Sequence, residues 1–280
     1  MRAPPAGAAP SVTIRPPRKW APLDLRELLA GHELLYFLVL RNLKLRYKQT
    51  ALGAAWAVLQ PLLAMAVFTV VFGRLARLSS DGLPYAVFVL VALVPWTYFA
   101  NVLTQASNSL VDQHQLLTRI YFPRLFLPLA AVIAGLLDLA IAFVLLLLMI
   151  AWYGIVPSPR LLAAPAFVLL AAAAALAPGT WLAALNVRYR DVRYAIPFLV
   201  QIWLFATPVV YSSTLVPERW RPLLGLNPMA TVVDGFRWMI APTASFPVRG
   251  LAISITVVAV LLVTGLYFFR RVERSFADVV

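Results

Sequence analysis

Residues 125–153 read LFLPLAAVIAGLLDLAIAFVLLLLMIAWY, a run in which Asp138 is the only charged side chain. A helix of about 20 residues crosses the ~30 Å of bilayer hydrocarbon, so this run is long enough to span. Uncharged runs lie on either side of it. They are Gln49–Gly73 (25 residues), Gly82–Val111 (30), Leu161–Val187 (27), Tyr194–Pro217 (24) and Gly250–Phe269 (20). The pattern predicts an all-α integral membrane protein with six transmembrane helices, at about 51–73, 84–110, 125–153, 161–186, 195–211 and 250–269.

Composition points the same way. Of 280 residues, 62% are hydrophobic and 12% charged, with a mean hydropathy of +0.84. Soluble domains carry about 25% charged residues. The net charge of +13 fits the excess of Lys and Arg on the inner side of membrane proteins, so no nucleic-acid partner is needed to explain it. The absence of cysteine excludes disulfides, thiolate metal sites and thiol catalysis. His32 and His114, far apart in sequence, argue against a histidine metal site.

Residues 1–22 hold six prolines with Arg2, Arg15, Arg18 and Lys19, and lack the apolar stretch of a signal peptide. They read as a disordered basic cytoplasmic tail. Over 23–48, Leu25, Leu28, Leu29, Leu35, Val39 and Leu43 recur at helical spacing with charges between them. That is the pattern of an amphipathic helix in the membrane interface. With both termini inside, 17 Lys and Arg fall on the inner side and seven on the outer. The split orients the chain in a bacterial plasma membrane with residues 275–280 cytoplasmic. Between spans five and six, the proline-flanked region 212–245 includes Met229–Ile240, too short at ~18 Å to cross. It reads as re-entrant helices rather than an ordinary loop, backbone of a kind tolerated at membrane depth only against protein or water.

Catalytic parts are missing. The only lysines, Lys19, Lys44 and Lys48, do not follow glycine, so no P-loop is present, and no Asp-x-Asp pair exists to hold a metal-bound sugar nucleotide. Any ATP must be bound by another polypeptide, and this chain needs no cofactor. Asp138, near mid-bilayer, reads as a structural hydrogen-bonding group or a protonated acid; no second charge within the spans matches its depth to form a relay. Trp96, Tyr98, Tyr211, Trp220 and Trp238 read as residues of the aromatic belts that form at membrane interfaces. The alternative role for these five is as channel-lining or sugar-stacking rings.

Ordered motifs carry a resemblance. They are RNLKLRYK at 41–48, Leu52-Gly53, QPLL at 60–63, RIYFPR at 119–124 with Leu127-Pro128, NVRYRDV at 186–192, TPVVY at 207–211 and LNPM at 226–229. Together, from Leu34 to Arg274, the chain resembles the permeases of type-2 ABC exporters that move O-antigen, teichoic acid and related surface polysaccharides. The resemblance implies a homodimer around a channel, two ATPase subunits carrying ATP and Mg, and a lipid-linked polysaccharide as cargo. It makes Asp112–Arg124 the segment that couples to the ATPase, with Asp112, Arg119, Tyr121, Phe122, Pro123 and Arg124 as contact candidates, joined by Arg190 and Asp191. Thr207 and Arg119 stand where relatives more often carry serine and lysine. A permease for another amphiphile is the competing reading. An enzyme acting on lipid-linked sugars lacks the clustered carboxylates or histidines it would need.

Overall fold

The computed structural model describes residues 31–48, 55–119, 122–241 and 244–273. The tail, the first part of the N-terminal helix, Tyr121 and the stretch 275–280 lie outside the described residues. Among the described residues every regular element is helical. In chain order these are α1 (His32–Tyr47), α2 (Ala55–Phe68), α3 (Tyr85–Asp112), α4 (His114–Arg119), α5 (Phe126–Trp152), α6 (Ala164–Arg188), α7 (Val192–Ala206), α8 (Arg221–Leu224), α9 (Pro228–Ile240) and α10 (Val248–Glu273). A π-helical turn over Thr69–Leu75 extends α2, and a 3₁₀ turn over Pro159–Ala163 precedes α6.

Five of these helical stretches are long and apolar enough to cross a membrane: Ala55–Leu75, Tyr85–Asp112, Phe126–Trp152, Pro159–Arg188 and Val248–Glu273. They coincide with five of the six expected spans. Where the fifth was expected, α7 has 15 residues, or ~22 Å. The uncharged run continues to Pro217, so apolarity does not end the helix. Pro208 does: a residue before proline is pushed out of the helical region, and Thr207 is extended at φ −100°, ψ 136°.

The bundle is built around α3, whose residues from Val87 to Val94 are buried without interruption. It packs against α5, α6, α2 and the short helix α9. Close crossing of α3 and α5 depends on Gly135, where a Cβ would lie 2.4 Å from Val102 Cγ2. Helix α9 is embedded: nearly all its residues are buried against α3, α6 and α10, and Asn227 caps it by accepting from the Met229 amide at 3.1 Å.

The N-terminal helix α1 does not lie flat across the end of the bundle. Arg41 donates to Gln113 at the end of α3 (2.9 Å), whereas Arg46 donates to Gln105. Those two glutamines are eight residues, ~12 Å, apart along α3. The helix therefore climbs the bundle, antiparallel to α3 and packed on α5, with Tyr36, Phe37 and Leu45 exposed.

Candidate functional site

Three constellations hold the chemistry-bearing residues. The first lies at the end of the bundle bearing Asp112. Here α4 and the turn after it return the chain from α3 to α5. Phe122 packs inward, 7% exposed, in a cluster with Leu38, Leu110, Phe126, Phe269 and Val272. Its ring anchors the turn to the bundle and to α1. Pro123 is half-buried and its carbonyl accepts from the Phe126 amide at 3.0 Å, starting α5. Arg124 donates to the Glu273 carbonyl at the end of α10. Asp112 pairs with Arg193 at the start of α7, both about half exposed. Arg190 and Asp191 are exposed beside them, and the Asp191 carbonyl accepts from the Tyr194 and Ala195 amides (3.1 Å each). The side chain of Arg119 and the whole of Tyr121 lie outside the described residues. The Asp112–Arg193 pair joins the end of α3 to the start of α7, and Arg190 and Asp191 are further exposed charges in the turn before α7.

The second constellation is at the opposite end. Arg237 is 4% exposed, its guanidinium 3.7 Å from the Phe88 ring centroid. It donates to the carbonyls of Val209 (3.0 Å) and Tyr211 (3.1 Å) and stands 3.9 Å from Asp234 one turn earlier. Asp234 also accepts from Ser213 at 3.0 Å, Asp81 accepts from Ser212 and Thr214, and Tyr85 donates to the Val210 carbonyl at 2.6 Å. The irregular chain after Pro208 is thereby stitched to α9 and α3. The sequence shows Arg237 and Asp234 only as charges in a short apolar piece. Their i, i+3 spacing is a readable sign of a pair, whereas the carbonyls that Arg237 serves are not.

The aromatic candidates separate. Trp96 and Tyr98 are core residues, with the Tyr98 hydroxyl donating to the Val132 carbonyl at 3.2 Å. Tyr211 is half-buried in the network around Arg237. Trp238 carries Arg160 over its ring at 5.3 Å and Phe246 at 4.8 Å. Trp220 is 51% exposed. The structure does not bring the five together on one wall.

The third constellation surrounds Asp138. It is paired with Arg46 of α1 and accepts from the Tyr47 hydroxyl, while Arg46 also donates to Gln105 of α3. Removal from water pulls the Arg46 guanidinium below its ordinary pKa, with Tyr47 acting the other way. The partner missing within the spans comes from outside them.

The sequence profile of the ABC-2 type transporter family matches residues 33–241. The chain belongs to the ABC-2 type transporter family. This ABC-2 chain is 33% identical over 255 residues to an O-antigen export system permease protein RfbA from Myxococcus xanthus, covering 89% of the chain and 96% of that protein. A protein of the same name from Klebsiella pneumoniae is 25% identical, covering 88% and 95%. The polysialic acid transport protein KpsM of Escherichia coli is 21% identical, covering 85% and 93%. An ABC-2 chain is a multi-pass membrane permease, not a catalytic subunit, which accords with the five membrane-length helices.

Proposed function

We propose that this ABC-2 chain is the permease of an exporter that moves a lipid-linked surface polysaccharide of the O-antigen type across the bacterial plasma membrane. The similarity to an O-antigen permease over 96% of that protein's length carries the reading. Two copies of the chain would enclose the path, because one narrow bundle centred on a packed α3 leaves no room inside for a hydrated polymer. ATP and Mg belong to a separate ATPase, since no lysine follows a glycine to form a P-loop. The ATPase docks on the face formed by Asp112, Pro123, Arg124, Arg190 and Asp191. Helix α7 serves as the fifth of six spans, both termini are cytoplasmic, α1 enters from the inner interface, and the region after Pro208 is re-entrant. Burial of α9 and the stitching by Arg237 support that last element, because irregular backbone survives at membrane depth only when its polar groups are satisfied.

The test is deletion and complementation. Loss of the gene should remove the polymeric surface glycan from a gel of whole-cell lipopolysaccharide, and the wild-type chain should restore it. An unchanged glycan pattern would refute the cargo. Orientation is checked separately in this cysteine-free chain: Ser80→Cys should react with an impermeant maleimide in intact cells and Arg190→Cys should not.

A further inference from the structure

The pair at Asp138 borders a cavity of about 300 Å³ between α1, α2, α3 and α5. Asp138 is the thirteenth residue of α5, ~20 Å along it, so the cavity lies near mid-membrane. Polar side chains there are costly unless they face protein, water or a polar guest. Arg46 and Asp138 satisfy one another. Three amides beside them retain hydrogen-bonding capacity. Gln60 on α2 is exposed, Asn101 on α3 is half-buried, and neither side chain makes a hydrogen bond to the described residues. Gln105 gives its carbonyl oxygen to Arg46, which leaves its amide nitrogen without an acceptor among them. Trp56, 51% exposed, adds an open indole beside these amides.

We infer that this cavity is a subsite for a neutral, hydroxyl-bearing sugar unit of the exported glycan, bound by Gln60, Asn101 and Gln105 against Trp56. The inference rests on the export reading above. A primary amide offers a donor and an acceptor in one plane, which matches hydroxyls that both donate and accept. An indole face covers the C–H face of a ring. Charge discriminates against the main rival, a lipid phosphate. The titratable groups around the cavity are Arg46, Asp138, Tyr47 and Tyr98, and with Arg46 and Asp138 paired they sum to zero. A phosphate would meet the Asp138 carboxylate with no uncompensated cation. Contact with acyl chains is equally poor for Gln60, which would leave a bare amide in hydrocarbon.

The absence of cysteine provides the test. The full chain with its ATPase, carrying Gln60→Cys, is expressed in a strain that makes the glycan and in one blocked in glycan synthesis. Membranes depleted of ATP, so that export stalls, are treated with a small uncharged hydrophilic maleimide. Labelling should be ready in the glycan-free membranes and several-fold slower where glycan is present. No labelling in either membrane, as when lipid or a second copy seals the face, overturns the subsite, and so does equal labelling in both. Asn101→Leu should slow glycan export several-fold at unchanged protein level and ATPase binding, and Asn101→Gln should recover part of it. Wild-type export rates in Asn101→Leu overturn the proposal. If the wild-type chain itself restores no glycan to the deletion strain, it is the export reading that fails. If it restores the glycan and the Gln60→Cys variant labels alike in both membranes, the subsite alone fails.

Discussion

Of the Arg–Asp pairs among the described residues, two are built on opposite plans. Asp234 and Arg237 are one turn apart on a single helix; Arg237 is deeply enclosed, Asp234 is about one-fifth exposed, and most of the bonding by Arg237 goes to backbone carbonyls of another segment. Arg46 and Asp138 are 92 positions apart, come from different helices and are each about one-fifth exposed on a cavity wall. The first pair is a local unit whose cation organises irregular chain. The second joins two separately formed elements and remains beside space that a guest can enter. Burial of the cation and sequence separation thus distinguish a charge used to complete the fold from one placed at a site.

The largest effect should come from the pair with the enclosed cation. Arg237→Met leaves the Val209 and Tyr211 carbonyls without their donor and Asp234 without its cation. Breaking a buried pair costs about 3–5 kcal/mol, and the partial exposure of Asp234 places this variant toward the lower end. We expect a clear loss of thermal stability of the detergent-solubilised protein, with Arg237→Lys recovering little, because a single ammonium on a flexible stem does not reproduce the fixed fork of a guanidinium. Equal stability of Arg237→Met and wild type would erase the contrast between the pairs.

The cavity pair should matter less for folding. Losing a hydrogen bond to a charged group costs about 1–3 kcal/mol, and partial exposure places Arg46→Gln toward the lower end. Its stability should fall less than that of Arg237→Met while its export, read on a glycan gel, falls further. The exchange of Arg46→Asp with Asp138→Arg should recover stability. Export that tracks stability in all of these variants would reduce the second pair to a structural one.

The smallest effect belongs to Asp112 and Arg193, an exposed pair of the kind worth about 0–1 kcal/mol and weakened by salt. Arg193→Gln should leave thermal stability nearly unchanged. If the two turns form one docking face, co-purification of the ATPase should nevertheless decrease. A variant that retains its ATPase in full would move the docking face elsewhere.

These contrasts also mark what was legible in the residues. Five membrane-length helices could be read because uncharged runs of about 20 residues have few other uses. The length of α7 was hidden by composition, since Tyr194–Pro217 is uniformly apolar and only the conformation of Thr207 before Pro208 ends the helix. Asp138 could be read as anomalous but not as paired. Its partner sits in RNLKLRYK, where alternating cations suggest a helix lying in the interface, and only the climb of α1 along α3 carries Arg46 to the level of Asp138. Phe122, between Tyr121 and Pro123-Arg124, had the look of an exposed anchor. Its burial depends on Leu38 and Phe269, from both ends of the chain, and no local pattern reports that contact.

The π-helical turn at Thr69–Leu75 makes α2 a screw with one thread too many. A π turn accommodates an extra residue within an otherwise α-helical path. Its lower end is gripped, since the Tyr85 ring leaves no room for even a methyl group on Gly73. Removing one residue there, Val70 for example, would let the turn relax to α geometry while the helix on either side keeps its facing. Trp56 and Gln60 would still line the cavity with Asn101. The same deletion in a regular α-helical stretch rotates one side by about 100°, so this turn is where α2 can lose a residue without unseating one wall of the cavity.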